Sequence, residues 1–93
     1  MESRKVVRVV NTQGLHARPC HSIVSTALTF RSELRIRGGE HEVNGKSIIE
    51  LMTLNACTGT ELEVRAWGGD AEDLVEAVSR LFAGGFGEEL AAE

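Results

Sequence analysis

The feature that most constrains the fold is the division of the chain into short segments whose apolar residues recur at two different spacings. Leu62, Val64 and Ala66 alternate with charged residues, which is typical of a strand with one buried face. The apolar residues between 74 and 82 instead recur at helical spacing. No single segment can form a layer of its own, so strands and helices must pack against each other within the 93 residues, the length of one domain.

Seven elements are predicted, in the order β-α-β-β-α-β-α. The predicted bounds are 5–10, about 17–28, 33–37, 40–43, a short helix that begins after Ser47 and ends at Thr58-Gly59, 61–66, and a helix from Asp70 to Gly84-Gly85. The hairpin between the second and third strands is predicted to turn at Gly38-Gly39. Short alternating strands favour an α+β open-faced sandwich, with a four-stranded antiparallel sheet and three helices on one face.

Composition is that of an ordinary globular protein, with 42% hydrophobic and 26% charged residues. Residues 1–88 are predicted to form a single domain, and 89–93 a frayed acidic C-terminal tail. Ten basic and fourteen acidic residues give a net charge of −4, which argues against nucleic acid as a partner.

No apolar run approaches the roughly 18 residues of a membrane span, and the charged N-terminus is unlike a signal peptide. A cytoplasmic protein that contacts no membrane is therefore expected. Cys20 and Cys57 are too few and too far apart for a disulfide framework, so both are expected to be reduced.

The segment Gly14–Pro19, spelled Gly-Leu-His-Ala-Arg-Pro, is the most informative stretch for function. Proline is tolerated in the first turn of a helix, where amide hydrogens have no intrahelical acceptor. Those amides and the helix dipole favour an anion, and Arg18 adds a cation that can grip phosphate oxygens. A neutral His16 imidazole has a ring-nitrogen lone pair that can attack phosphorus. The plainer interpretation is a surface histidine near a helix cap.

Taken together, these residues resemble the histidine-containing phosphocarrier (HPr) family of the bacterial phosphotransferase system. The resemblance rests on Gly14–Pro19, on Lys46-Ser47 followed by Ile48-Ile49 and Leu51, and on the order of the elements, and it covers about residues 3–86.

The resemblance implies that Enzyme I, charged by phosphoenolpyruvate, phosphorylates Nδ1 of His16, and that the phosphoryl group passes to a type IIA protein or domain. His16 would be the carrier and Arg18 its phosphate clamp. The protein would then be a phosphoryl carrier rather than a stand-alone enzyme, with no cofactor and no metal of its own.

Ser47 has two interpretations that are compatible. Ser47 and Glu50 spell a capping box at a helix start. The resemblance implies that an HPr kinase/phosphorylase phosphorylates this serine and thereby slows the histidine relay. Phosphate at a helix start is electrostatically favourable, so the helix would tolerate it.

The second helix is expected to bury Leu51 and Leu54 and to leave its other apolar residues partly outward. An apolar cluster beside His16 would be a docking patch for partner proteins. The predicted patch consists of Ala17, Ile48, Ile49 and Met52.

The chain departs from better-known family members at Ser25, Leu28 and Glu50, where lysines are often found. The partner face is therefore less basic, and steering by complementary charge is expected to be weaker. Whether the protein serves sugar uptake or the nitrogen-related branch stays open.

Cys20 and His21 also suggest a metal site, but Cys20 lies at helical spacing from Ile23, Val24 and Ala27, which favours a core position. Two other functions remain open. One is a small regulatory domain that binds a ligand at a dimer interface, and the other is an HPr-like regulator that acts mainly through Ser47. A monomer with small, transient interfaces is expected.

Overall fold

The computed structural model describes residues 1–92 and confirms the predicted order of strands and helices. The elements are β1 Glu2–Arg8, α1 Ala17–Ala27, β2 Glu33–Gly38, β3 His41–Asn44, α2 Ile48–Met52, β4 Glu61–Trp67 and α3 Ala71–Ala83. A single 3-10 turn, Gly85–Gly87, follows α3. Glu93, the last residue of the predicted tail, lies outside the described residues.

The four strands form one antiparallel sheet in the spatial order β1-β4-β2-β3. β4 lies inside the sheet, where Val64 is paired with Lys5 of β1 and with Ile36 of β2. The predicted open-faced sandwich is thus confirmed, and the last strand of the sequence is the one that joins β1 to the β2-β3 hairpin.

The core lies between one face of the sheet and the apolar faces of the helices. Alternate residues of β2 and β4 point into it, and α1 and α3 cover them. The largest fully buried apolar side chains are Phe82, Ile23, Leu34, Ile36, Leu51, Leu62, Leu74, Val9, Val43, Val64 and Val78. This packing fixes α1, and therefore the segment at its N-terminus, against the sheet.

The other face of the sheet is solvated and charged, as the alternation predicts. Arg65 on β4 forms ion pairs with Glu2 at 3.2 Å and Glu42 at 3.5 Å, and its guanidinium lies 4.7 Å from the ring centre of Trp67. Exposed pairs of this kind add little stability.

β1 and the hairpin differ from the predicted bounds. β1 covers residues 2–8 rather than 5–10, because its pairing with β4 runs from Glu2 opposite Trp67 to Arg8 opposite Glu61. The hairpin turns at Gly39-Glu40 rather than Gly38-Gly39, because Gly38 still belongs to β2. Gly39 alone has a positive φ there, +61°.

α2 is shorter than predicted and ends at Met52 instead of Thr58-Gly59. The hydroxyl and the backbone N–H of Thr53 both donate to the carbonyl oxygen of Glu50, which closes the last turn. Asn55 then has a left-handed backbone, with φ of +49°. The chain leaves the helix axis at this point and forms a loop beneath the N-terminus of α1.

The acidic tail from residue 89, expected to be frayed, runs back along the loop that follows β1. The backbone N–H of Thr12 donates to the Glu89 carbonyl at 3.0 Å, and that of Ala91 donates to the Val10 carbonyl at 2.8 Å. Asn11 and Leu90 form an antiparallel bridge. We call residues 88–92 the C-terminal segment. Its backbone hydrogen bonds reach the loop that leads to α1. The polar sequence of this segment did not predict that contact.

No helix within residues 1–92 is long and apolar enough to cross a membrane.

Candidate functional site

The loop between β1 and α1 is organised around a buried asparagine. Asn11 is 0% exposed, and its side-chain amide donates to the Gly14 carbonyl at 2.7 Å and to Glu88 Oε1 at 3.0 Å. The Thr58 hydroxyl donates to the Asn11 carbonyl at 2.7 Å. Asn11 therefore links three separate parts of the chain beneath the site.

Gly14 lets this loop pass close to the chain that follows α2. Its φ is +70°, and a Cβ built on it would lie 2.7 Å from the Ala56 carbonyl oxygen. The next residue, Leu15, donates its backbone N–H to that same oxygen at 2.8 Å. A glycine is required here both for the backbone conformation and for the close approach.

His16 is the N-cap residue of α1, but its side chain does not cap the helix. The imidazole is 34% exposed, and Nε2 lies 3.0 Å from Oε1 and 2.9 Å from Oε2 of Glu88. Within residues 1–92, Nδ1 makes no hydrogen bond. Nε2 is therefore hydrogen-bonded to Glu88, whereas Nδ1 is open, with no hydrogen-bond partner among these residues.

Glu88 is the residue of this site that the sequence did not predict. Its side chain is 17% exposed. The hydrogen bond from His16 is the largest cause that lowers the pKa of the Glu88 carboxyl, and the Asn11 amide and the charge of Arg18 lower it further. No motif links positions 16 and 88, so only the folded chain brings them together.

The start of α1 combines free amide hydrogens with an uncommitted cation. Pro19 is buried in the first turn, whereas Ala17 and Arg18 are exposed. The first turn has no acidic side chain, and the Arg18 guanidinium has no ion pair or hydrogen bond in the part of the chain that the structure describes. This arrangement attracts an anion to the space in front of the helix.

Ser47 caps α2, as predicted, but only half of the capping box is formed. Its hydroxyl oxygen accepts the backbone N–H of Glu50 at 3.2 Å. The Glu50 carboxylate does not return to Ser47 and instead accepts the backbone N–H of Asn44 at 3.0 Å. Glu50 therefore ties the end of β3 to α2.

The four residues of the predicted docking patch are not equally placed. Ala17 is exposed, Ile49 is 79% exposed and Met52 is 44% exposed, whereas Ile48 is half-buried and packs against the core. Met52 lines a shallow surface depression together with His16. The structure thus brings the end of α2 to the site and turns Ile48 partly away.

Cys20 and His21 lie on different faces of α1. Cys20 is 0% exposed, and burial raises the pKa of its thiol to about 11. His21 is exposed. The core position predicted for Cys20 is confirmed, and its thiol does not share a surface with His21.

The sandwich fold and the half-exposed histidine at the start of α1 are those of small phosphocarrier proteins. A family profile described as "PTS HPr component phosphorylation site" matches residues 3–84. The chain belongs to this HPr family of the phosphotransferase system.

Individual relatives agree with that assignment. The chain is similar to the phosphocarrier protein HPr of Neisseria meningitidis, 38% identical over 91% of this chain and 96% of the relative. It is also similar to the phosphocarrier protein NPr of Escherichia coli, 33% identical over 96% of this chain and 100% of the relative. The crystal structure of an HPr from Thermoanaerobacter tengcongensis superimposes with a TM-score of 0.90 at 35% identity, covering 95% of this chain and 99% of that one.

Proposed function

We propose that the protein accepts a phosphoryl group from phospho-Enzyme I on Nδ1 of His16 and passes it to a type IIA protein in the cytoplasm. The observation that carries this proposal is the open Nδ1 of His16 in front of a helix start that has the uncommitted Arg18 guanidinium beside it. The family membership supports the same role.

The transfer is a nucleophilic displacement at phosphorus. The Nδ1 lone pair of His16 forms the new N–P bond, while the bond from phosphorus to the donor group of phospho-Enzyme I breaks and its electron pair returns to that group. The free amide hydrogens of Ala17 and Arg18 face the incoming oxygens, and the Arg18 guanidinium can bind two of them. Because phospho-Enzyme I supplies an already activated phosphoryl group, we propose a transfer step without a cofactor or metal.

The partners are Enzyme I and a type IIA protein, which dock in turn on the surface around His16. Ala17 follows His16 in the chain and Met52 lines the same surface depression as His16, while Ile49 adds exposed apolar area on α2. Each complex must be short-lived for the phosphoryl group to move on, and a small apolar patch is suited to that. The relatives include both HPr and NPr proteins, and this relay is compatible with either. Whether the protein serves sugar uptake or the nitrogen-related branch therefore depends on which type IIA protein accepts the phosphoryl group.

Ser47 is proposed as a second, regulatory phosphorylation site for an HPr kinase/phosphorylase. Its hydroxyl lies at the start of α2, immediately before Ile48 and Ile49. A phosphate there adds about two negative charges next to the docking patch. Partner proteins that bind through apolar contacts would then bind more weakly, and the histidine relay would slow.

The relay is tested by incubation with phosphoenolpyruvate and Enzyme I from the same organism, followed by measurement of intact mass. The expected result is one added phosphate that is lost in acid and is absent from His16→Ala. His21→Ala is the matched control, because His21 is an exposed histidine of the same helix, and it should be phosphorylated as the wild type is. A wild-type protein that takes up no phosphate from its own Enzyme I contradicts the proposal.

The Ser47 site is tested separately with ATP and an HPr kinase. An acid-stable phosphate is expected on the wild type and on Ser25→Ala, whose serine is exposed on α1, but not on Ser47→Ala. An acid-stable adduct that survives in Ser47→Ala assigns the modification elsewhere. A protein that gains only this adduct, and none on His16, would be a regulator rather than a carrier.

A further inference from the structure

We infer that Glu88 is a positioning residue for the phosphoryl transfer: its carboxylate keeps the His16 proton on Nε2, so that Nδ1 is the nucleophile and later the leaving atom. The part that concerns the transfer rests on the function proposed above. The part that concerns the proton stands on the structure alone.

The geometry fixes where the proton lies. Both oxygens of Glu88 are within hydrogen-bond distance of Nε2, at 3.0 and 2.9 Å. An ionised carboxylate only accepts hydrogen bonds, so Nε2 must be the donor. In the neutral ring the lone pair is then on Nδ1, the nitrogen that has no hydrogen-bond partner within residues 1–92.

The carboxylate is itself held in place from two sides. The Asn11 amide, fully buried, donates to Oε1 at 3.0 Å. The backbone on either side of Glu88 is also fixed, since the Glu88 N–H donates to the Gly85 carbonyl at 3.0 Å and the Glu89 carbonyl accepts from Thr12 at 3.0 Å. At 17% exposure the side chain is largely shielded from water, which strengthens the contact with the ring.

The chain reaches this position through an unusual backbone path. Gly85 and Gly87 have φ of +62° and +74°, and these left-handed residues reverse the chain after α3. Phe86, between them, also has a positive φ, +58°. Its ring packs against Phe82 of α3, with ring centres 4.9 Å apart. The turn that aims Glu88 at His16 is therefore anchored in the core.

The proton on Nε2 has a role in both halves of the relay. When Nδ1 attacks phosphorus, its lone pair becomes the N–P bond, and the ring becomes a cation that keeps the Nε2 proton. The adjacent Glu88 carboxylate stabilises that cation. When the phosphoryl group leaves, the N–P electron pair returns to Nδ1 and a neutral imidazole is released rather than an imidazolate. No proton enters or leaves the ring in either step.

The charged group beside this pair is Arg18, whose positive charge acts on Glu88 in the resting protein. An incoming phosphoryl group would draw the guanidinium toward its oxygens. The positively charged His16 ring would then be the main cation beside Glu88. The same carboxylate therefore holds the Nε2 proton in the resting protein and stabilises the ring cation in the phosphorylated protein.

The inference is tested first without any phosphate. The ¹⁵N chemical shifts of the His16 ring in the free protein report which nitrogen carries the proton. In the wild type the shifts should be those of a ring protonated at Nε2. In Glu88→Ala the two ring shifts should move toward each other, because both tautomers become populated. In Glu88→Gln the amide oxygen still accepts from Nε2, so the wild-type tautomer should be largely retained.

The transfer is then measured with Enzyme I and a type IIA protein from the same organism. Loss of a hydrogen bond to a charged group should slow phosphorylation of Glu88→Ala by about tenfold or more. Glu88→Gln should also be slower than wild type, because it keeps the hydrogen bond but not the charge that stabilises the cation. Glu89→Ala is the matched control: it removes a neighbouring exposed carboxylate but leaves the backbone contact, and it should behave as wild type.

Unchanged ring ¹⁵N shifts in Glu88→Ala overturn the inference, whatever the relay does. A changed tautomer together with an unchanged transfer rate overturns the catalytic half. If the wild type takes up no phosphate at all, the proposed function fails, while the tautomer measurement still decides the role of Glu88.

Discussion

Gly14 is a residue whose replacement the site should tolerate poorly. It combines a left-handed backbone with a carbonyl oxygen only 2.7 Å from the place a Cβ would occupy. Gly39 has a similar φ, +61°, but no atom lies within 4 Å of its Cβ position. Comparing substitutions at these two glycines therefore separates the free-energy cost of the left-handed backbone from that of a steric clash.

Gly14→Ala should lower the free energy of unfolding by about 3 kcal/mol or more, since backbone strain and a clash with the fixed Ala56 carbonyl add together. Gly39→Ala should lower it by about 1 kcal/mol, the cost of the left-handed conformation alone. Urea unfolding of the three proteins measures both values. Equal losses in the two variants would mean that the Ala56 carbonyl moves aside without cost.

Arg18 should matter for transfer and not for folding. Its exposed side chain has no polar partner in the described part of the chain, so Arg18→Ala should change the melting temperature by less than about 4 °C. Phosphoryl transfer from Enzyme I should slow by about tenfold to a hundredfold. Arg18→Lys should recover part of the rate, because it keeps the charge but not the bidentate geometry. A large drop in melting temperature for Arg18→Ala would make the residue structural.

The start of α3 also holds the chain that leaves α1. Asp70 is the N-cap residue of α3, yet its carboxylate does not cap the helix. It accepts the backbone N–H groups of Arg31 and Ser32, each at 2.9 Å, and the hydroxyl of Ser32. The bond from the Ser32 hydroxyl is the largest cause that lowers the pKa of Asp70 to about 2. One carboxylate thus joins the loop before β2 to α3.

Stability should therefore depend on Asp70 in acid. Because its pKa is lower in the folded protein than the ordinary 3.8, the unfolded chain binds more protons between about pH 4 and about pH 2. The stabilisation is present in full above about pH 4 and is lost as the pH falls toward 2. Asp70→Asn should unfold more readily at pH 7 and lose less of its remaining stability over that acid range.

Asp73→Asn is the control for this measurement, because Asp73 is an exposed carboxylate of the same first turn. Its unfolding curves at pH 7 and at pH 3 should follow those of the wild type. An acid profile of Asp70→Asn that is parallel to the wild-type profile would show that the loop contact does not depend on the charge.

The order of elements and the faces of the helices could be predicted from the sequence because both depend on local spacing of apolar residues. The place of His16 and Arg18 at the start of α1 could also be predicted, since they are neighbours in one motif. Glu88 could not, because its contact with His16 joins residues 72 positions apart and depends on left-handed residues after α3. The sequence also could not show that the capping box at Ser47 is only half formed. The Glu50 carboxylate could accept the backbone N–H of either Ser47 or Asn44, and tertiary structure decides which one it accepts.

Over the whole molecule, net charge predicts how partners approach. The protein carries −4, and the exposed residues Ser25, Leu28 and Glu50 add no positive charge to the surface on which the proposed partners would dock. Association with Enzyme I, the proposed phosphoryl donor, should therefore depend weakly on salt. The apparent KM for this protein in the Enzyme I reaction should change by less than about threefold between about 50 and about 200 mM salt.

A variant with Ser25→Lys and Leu28→Lys provides the comparison. It adds two charges at exposed positions of the surface at the end of α1, and its KM should become lower at low salt and rise more steeply with salt than that of the wild type. A wild-type KM that already rises tenfold over this range would mean that attraction between charges governs docking after all.

Because β4 lies inside the sheet, the sheet cannot be completed during synthesis until β4 has been made. β1 and the β2-β3 hairpin both bond to β4 and not to each other, so neither has its sheet partner until Trp67 has left the ribosome. Until then the nascent chain displays unpaired strand edges with apolar faces, the kind of surface that chaperones bind. The histidine site lies at the start of α1, but it cannot take shape until β4, Glu61–Trp67, has also been synthesised.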